Sequence, residues 1–183
     1  MGKLIFSMSV SLDGFIAGPK GEIDWCAPDA ELHRFHNEQI RELGAHLLGR
    51  RLYETMLYWE TADEKPGSPE DEFARIWQDL PRIVFSSTLE KVEGNARLAR
   101  DGLADEVAKL KEEPGKDIAI GGAGLASTAI ELGLVDEFRQ FVCPVVLGGG
   151  TPYFPALDDR IELELVETQT FDSPVVCLRY RRR

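Results

Sequence analysis

Three joints at the ends of predicted strands, two of them with glycine, carry residues suited to binding phosphate. They are Gly49-Arg50-Arg51, Ser86-Ser87-Thr88 and Gly121-Gly122-Ala123-Gly124-Leu125. Guanidinium groups form forked hydrogen bonds with phosphate oxygens, and the N–H groups at a helix start attract anions. Glycine lets the backbone approach a ligand without interference from a Cβ atom. These joints therefore predict a site for a phosphorylated ligand such as a nucleotide.

Two of these joints, taken alone, have a simpler explanation. The third departs from the G-x-G-x-x-G fingerprint at its last position, Ser127, and is also consistent with a glycine-rich turn that binds nothing. Arg50 and Arg51 begin a predicted helix, where positive charge opposes the helix dipole. A bound anion would account for that choice, and a solvated helix start is the alternative.

The elements that must position these joints alternate along the chain. Residues 3–10 are predicted as a buried strand, 11–21 as a glycine-punctuated loop, and 29–43 as a helix stopped by Gly44. Further strands are expected at 45–48, 82–87 including its turn, 96–99, 117–121, 137–146, 163–170 and 175–180, and further helices at 52–59, 70–79, 103–110 and 125–132. This order predicts an α/β fold with a mixed sheet, in which turns after different strands line one crevice at the strands' carboxyl ends.

Length and charge limit the class of protein. A chain of 183 residues with a net charge of −11 is expected to form a single domain, 1–183, and the acidic balance argues against a nucleic-acid partner. No segment approaches the length of a membrane span, and a cytoplasmic location is expected. Three widely spaced cysteines predict reduced core thiols, and the three histidines show no zinc spacing, so no metal site is predicted.

Several blocks resemble the dihydrofolate reductase superfamily in its own order along nearly the whole chain. They are Met8–Ala17, Leu48–Glu54, Phe85–Leu89, Ile120–Gly124, Leu134–Glu137 and Pro144–Gly150. The match is strongest to the branch containing the C-terminal reductase domain of the bifunctional riboflavin-biosynthesis deaminase-reductase. The resemblance implies a stand-alone reductase domain with a dihydrofolate reductase-like mixed sheet, flanking helices and a C-terminal antiparallel hairpin.

The resemblance also implies that the chain binds NADPH. By similarity, Ile16 and Ala17 would contact the nicotinamide through their backbone. The phosphates would be held by Gly49, Arg50, Arg51 and Ser87, and the pyrophosphate by Gly121, Gly122, Ala123, Gly124 and Leu125. Two positions depart from the dihydrofolate reductases, which usually have Thr at Leu52 and Arg at Gly124. The preference for NADPH over NADH is therefore open.

Reduction of an imine-type bond also needs a proton donor. Glu31 is the leading candidate, because its surroundings resemble the dihydrofolate reductase segment that carries the active-site carboxylate, with one residue inserted before it. Partial desolvation would raise its pKa. Asp29 and a merely surface-exposed role for Glu31 are alternatives. Asp13, the other catalytic candidate, also fits an Asp-Gly turn.

Ser7, Trp25 and Phe35 are expected to contact the substrate, although core packing is the alternative for the aromatic side chains. The resemblance implies hydride transfer from NADPH to a small pyrimidine- or pteridine-like ring. The family's example is 5-amino-6-(5-phosphoribosylamino)uracil. A true dihydrofolate reductase and a non-catalytic NADPH-binding protein are the alternatives. Relatives in this branch often form dimers, so a homodimer is expected.

Overall fold

The computed structural model describes residues 2–113 and 115–183. Ten strands are present in this part of the chain: β1 Leu4–Ser11, β2 Phe15–Ala17, β3 Leu43–Gly49, β4 Arg82–Phe85, β5 Ala96–Leu98, β6 Asp117–Gly121, β7 Glu137–Cys143, β8 Thr151–Pro152, β9 Leu163–Thr170 and β10 Val176–Arg182. The α-helices are α1 Ala30–Arg41, α2 Arg50–Met56, α3 Pro69–Asp79, α4 Leu103–Glu112 and α5 Ala123–Glu131. Short 3-10 turns cover Asp24–Cys26 and Leu57–Glu60.

Eight strands form one sheet in the order β5-β4-β3-β6-β1-β7-β10-β9. Six adjacent strands, β5, β4, β3, β6, β1 and β7, run parallel to one another, whereas β10 runs antiparallel to both β7 and β9. β2 and β8 form a separate two-stranded ribbon. The predicted mixed α/β sheet with a C-terminal antiparallel hairpin is confirmed.

Apolar side chains on each face of the sheet bind a different group of helices. On one face, Phe73 and Trp77 of α3 pack with Ile5 and Leu48 of the central strands. On the opposite face, Ala126, Ala129 and Ile130 of α5 belong to the cluster that contains Phe6 and Leu47. Alternation of side chains along β1 explains this division, because Ile5 and Phe6 point to opposite faces. The sheet is therefore covered on both sides, as parallel strands require.

The segment between α1 and β3 differs from the sequence expectation. The predicted helix extends to Leu43, but α1 ends at Arg41 and Leu43 already pairs with Asp117 of β6. Strand pairing therefore replaces the last helical turn. β7 likewise ends at Cys143 and not at Val146, since Pro144 follows and has no N–H group to donate.

The short ribbon of β2 and β8 was not predicted. It pairs Phe15 with Pro152 and Ala17 with Thr151, and so ties the loop after β1 to the distant glycine-rich segment before β8. Three-residue and two-residue strands leave too little periodic pattern to be read from sequence. Of the helices that the structure describes, none combines the length and the apolar character needed to traverse a lipid bilayer.

Candidate functional site

The three joints lie side by side at the carboxyl ends of β4, β3 and β6. Across these neighbouring strands, Gly49 is in register with Phe85, and Leu48 with Gly121. A Cβ atom built on Gly122 would lie 3.4 Å from the backbone nitrogen of Gly49. Residues far apart in sequence thus form one continuous edge at the strand ends. Arg50, which follows Gly49, and Gly122 therefore lie at the same end of the sheet, as a shared site requires.

Backbone geometry at Gly122 sets the direction of α5. Gly122 has a φ of +92°, a conformation that L side chains rarely adopt, and accepts the first helical hydrogen bond from Ala126 N at 2.9 Å. No side chain caps α5, and a Cβ atom on Gly124 would meet nothing within 4 Å. The first N–H groups of α5 therefore have no capping side chain, and such groups suit an anion.

Arg50, Arg51 and Ser87 place polar groups beside this edge. Arg50 donates to Glu54 Oε1 at 2.7 Å and to Thr88 Oγ1 at 2.5 Å, so its guanidinium joins α2 to the turn after β4. Arg51 and Ser87 are exposed. The edge thus combines one oriented guanidinium, one exposed guanidinium and a hydroxyl group, which is a set of donors suited to phosphate.

A cavity of about 280 Å³ lies between α1 and the central strands. Ile16 of β2, Cys26 and the side chains of β1 and α1 line it. Its polar lining consists of Ser7, Ser9, His36, Gln39, His46 and Arg139. The Nε2 atom of His46 lies 3.2 Å from the position of a Cβ atom on Gly121. The cavity therefore adjoins the glycine-bearing edge.

Arg139 is held by ion pairs and a hydrogen bond within the protein. Its Nε and Nη2 atoms lie 2.7 and 2.6 Å from Glu137 Oε1, and its Nη1 atom donates to Gln39. Glu137 is buried, which pushes its pKa upward, but Arg179 and Arg139 outweigh burial and lower the pKa below its ordinary value. Glu137 is therefore ionised and compensates the charge of Arg139.

The two cavity histidines are uncharged at neutral pH. Desolvation lowers the pKa of His36 to about 4, with a smaller contribution from His33. Desolvation likewise lowers the pKa of His46 to about 4, assisted by the charge of Arg82. The Nδ1 atom of His46 is buried without a hydrogen-bond partner among the described residues. Both imidazoles can offer a neutral N–H donor and a nitrogen acceptor.

Glu31 does not reach the cavity. It is exposed in the first turn of α1, where its Oε2 atom accepts a hydrogen bond of 2.7 Å from Asp172 N. Asp29 caps the helix through Leu32 N, and Leu32 is the neighbour that turns toward the sheet. One residue rotates the helical position by about 100°, because a turn contains 3.6 residues. The expectation that Glu31 is partly desolvated is wrong for this reason.

Asp13 fixes a loop. Its carboxylate accepts hydrogen bonds from Ser11 Oγ at 2.7 Å, Leu147 N at 3.1 Å and Gly148 N at 2.7 Å. The Ser11 hydrogen bond is the main cause of a lowered pKa at Asp13. An ionised, exposed carboxylate with three donors is a poor proton donor, and Asp13 is not among the residues that line the cavity. Its geometry accounts for the Asp-Gly turn and joins it to the glycine-rich loop.

The predicted substrate contacts divide into two groups. Ser7 lines the cavity. Phe35 instead packs against Phe141 and Phe171, with ring centroids 6.0 and 5.1 Å apart. Trp25 packs against the same apolar cluster, and neither aromatic residue lines the cavity. The structure therefore brings Ser7 and Ile16 to one cavity and leaves Trp25 and Phe35 in the packing beneath α1.

Most of the polar cavity residues were not identified from sequence. His36 and Gln39 are one helical turn apart on α1, and that spacing was a usable signal. His46 and Arg139 belong to β3 and β7, which are separated in the sheet by β6 and β1. Their common location depends on strand order, which the sequence pattern does not provide.

Comparisons with known proteins agree with this architecture. The chain is 39% identical over 179 residues to the uncharacterized protein YyaP of Bacillus subtilis (strain 168), covering 97% of this chain and 94% of that protein. The diaminohydroxyphosphoribosylaminopyrimidine deaminase/5-amino-6-(5-phosphoribosylamino)uracil reductase of Thermotoga maritima superposes with a TM-score of 0.70 at 18% identity, covering 100% of this chain and 57% of that one. Dihydrofolate reductase from Enterococcus faecalis, complexed with NADP(H) and RAB-propyl, gives a TM-score of 0.66 at 18% identity, covering 100% and 97%.

The sheet and its strand ends have a dihydrofolate reductase-like fold. Within that class, the family model of the RibD C-terminal domain matches residues 2–177. The chain belongs to the RibD C-terminal domain family.

Proposed function

We propose that the protein is an NADPH-dependent reductase that transfers a hydride to a small pyrimidine- or pteridine-like ring. The observation that carries this proposal is the contact between the joints at Gly49 and Gly122, beside a cavity that reaches Gly121 through His46. Family membership supports a reductase of the riboflavin-biosynthesis type. The Thermotoga maritima protein, whose name includes 5-amino-6-(5-phosphoribosylamino)uracil reductase, is an example of that class.

The residues at the strand ends fit a dinucleotide. The start of α5 would bind the pyrophosphate through backbone N–H groups, since Gly122 and Gly124 leave no side chain in the way. Arg50 and Arg51, with Ser87, would bind the remaining phosphate groups. Ile16 lines the cavity, and its backbone would contact the nicotinamide. NADPH, when bound, supplies a hydride from its dihydronicotinamide ring.

The protein's contribution to the reaction is to exclude water and orient the acceptor ring. The cavity wall formed by Ile5, Ile16 and Phe141 is apolar, and it removes the acceptor from bulk water. Ser7 and the neutral imidazoles of His36 and His46 supply hydrogen bonds at its polar points. These donors and acceptors can fix one orientation of a heterocycle relative to the hydride donor.

The source of the proton separates the alternatives. Of the described residues that line the cavity, none is a carboxylic acid. This observation counts against dihydrofolate reductase activity as we interpreted it from Glu31, and it favours water as the proton source. It also supports a second candidate function, in which the chain binds NADPH and a ligand without catalysis.

Turnover distinguishes a reductase from a binding protein. Purified protein is incubated with NADPH and either 5-amino-6-(5-phosphoribosylamino)uracil, its phosphate-free form or dihydrofolate, and loss of dihydronicotinamide absorbance is followed. Oxidation that depends on a pyrimidine supports the proposal. Saturable NADPH binding without turnover of any compound would support the binding protein, and turnover of dihydrofolate alone would support the other enzyme.

A further inference from the structure

The size of the central cavity limits what it can enclose. A volume of about 280 Å³ lies just under the range of about 300–1,000 Å³ that is usual for small-molecule pockets. The space is therefore suited to a single heterocycle, and a sugar phosphate attached to that ring would extend toward the rim. The charges of the lining and the rim then decide whether a phosphate is tolerated.

The one cation among the described cavity-lining residues is already neutralised. Arg139 contacts Glu137 through two nitrogens, as described above, and its third nitrogen donates to Gln39. Glu137 also binds Arg179, at 2.8 Å, and Lys3, at 3.3 Å.

The two other cations that contact Glu137, Lys3 and Arg179, each have a second carboxylate partner. Lys3 lies 3.6 Å from Asp117, and Arg179 lies 3.2 Å from Glu167. Lys3, Arg139 and Arg179 are thus balanced by the three carboxylates of Glu137, Asp117 and Glu167. An additional anion at the cavity would compete with Glu137 for Arg139, and separating that buried pair is unfavourable.

The other titratable groups of the cavity provide no positive charge. With pKa values of about 4, His36 and His46 are neutral at physiological pH. Arg34 also belongs to α1, but it lines a separate groove, which α3 helps to form. The cavity therefore presents neutral donors and acceptors.

The rim is acidic. The segment 20–31 contributes Ile23 and Cys26 to the cavity wall. It contains one cation, Lys20, and four carboxylates: Glu22, Asp24, Asp29 and Glu31. A phosphate dianion projecting from the cavity along this wall would meet like charge.

We infer that the substrate is an uncharged heterocycle that carries no phosphate, and that Ser7, Ser9, Gln39 and two histidine side chains recognise it. The inference rests on the proposed reductase function and narrows its substrate class. This substrate class differs from that of an enzyme that recognises a phosphoribosyl group. Phosphate recognition is confined to the cofactor edge, where Arg50 and Arg51 lie.

A matched pair of ligands tests the inference. The probes are 5-amino-6-(5-phosphoribosylamino)uracil and the same compound without its phosphate, each added to the full chain saturated with NADPH. We expect the phosphate-free compound to be favoured in both affinity and kcat/KM by at least about tenfold, which corresponds to about 1.4 kcal/mol. Equal or better use of the phosphorylated compound would overturn the inference and leave the reductase proposal standing. Failure of both compounds to bind or react, with NADPH bound, would overturn both.

A charge-releasing variant tests the cause of the discrimination. Glu137→Gln removes the carboxylate that compensates Arg139. The ratio of kcat/KM for the phosphate-free compound to that for the phosphorylated compound should fall by at least about threefold, since an unpaired buried charge favours a counterion. Glu164→Gln is the control, because Glu164 pairs with Arg181 on the exposed hairpin at 2.8 Å. An unchanged ratio in a folded Glu137→Gln protein would contradict the inference. If that variant fails to fold, the ratio measured on the natural chain still decides.

Discussion

Gly122→Ala tests whether the joint after β6 depends on a conformation that glycine alone adopts readily. Gly122 has φ +92° and ψ 123°, outside the regions open to L side chains. A non-glycine residue held in such a region costs about 1–3 kcal/mol. The added methyl group would also lie 3.4 Å from Gly49 N and 3.5 Å from Gly49 Cα, which leaves little room for relaxation.

We therefore expect the free energy of unfolding to fall by about 1–3 kcal/mol. For a chain of 183 residues this corresponds to a decrease in Tm of about 2–12 °C, at about 2–4 °C per kcal/mol. Urea denaturation followed by circular dichroism measures the first quantity, and a thermal scan measures the second. NADPH affinity should fall as well, because the shifted turn displaces the start of α5.

Gly124→Ala is the matched control, two residues away in the same segment. Gly124 lies within α5, and an added Cβ atom would have nothing within 4 Å. Alanine in place of glycine in a helix stabilises by about 0.5–1 kcal/mol, so this variant should be at least as stable as the natural chain. If Gly122→Ala were as stable as Gly124→Ala, the strain assigned to Gly122 would be refuted.

Three further expectations follow from the charges and the exposed surfaces. Arg97 donates to Glu106 at 2.9 and 2.6 Å and lowers the pKa of Glu106 from 4.5 to about 2. Glu106→Gln should therefore lower the free energy of unfolding at pH 7, and its difference from the natural chain should narrow as pH falls from 4.5 toward 2. A difference independent of pH would contradict this. The imidazoles of His36 and His46 should titrate near pH 4 when followed by NMR. The unfolded chain binds those protons already below about pH 6.5, so the free energy of unfolding should decline between pH 6.5 and 4. Titration midpoints near 6.5 would be inconsistent with burial of these side chains. We also propose a homodimer formed through β9, the edge strand on which Leu165 is 52% exposed. Leu165→Glu should then convert the dimer to a monomer, as measured by light scattering. A natural chain that is already monomeric would eliminate the proposal.

The two glycine-bearing joints, after β3 and β6, were predictable because each is encoded locally. An apolar run followed by glycine and then by a helical pattern identifies the end of a strand without reference to the rest of the chain. The strands and helices accordingly lie within a few residues of their expected bounds, and β9 spans Leu163–Thr170 as predicted. That the joints meet at one edge followed from a general property of parallel sheets.

The side chains of the cavity were less accessible to sequence reasoning. Glu31 and Leu32 are adjacent, and the hydrogen bond from Leu32 N to Asp29 decides which of them turns toward the sheet. A resemblance with one inserted residue leaves this register undetermined. His46 and Arg139 come together through the strand order β3-β6-β1-β7, in which sequence neighbours are not sheet neighbours. The ion pair that neutralises Arg139 depends on the same non-local contacts.

The central claim is that NADPH binds at the carboxyl ends of β3, β4 and β6, which together form its site. An NMR titration of the ¹⁵N-labelled chain with NADPH tests it most directly, because it reports every backbone amide separately. We predict saturable chemical-shift changes that are largest at Gly49–Arg51, Ser87 and Gly122–Leu125. The NADPH affinity obtained from these changes should fall in Arg51→Ala. It should not fall in the control Arg75→Ala, because the exposed Arg75 guanidinium pairs with Asp71 on α3. Shifts confined to other parts of the molecule, or none at millimolar NADPH, would contradict the claim.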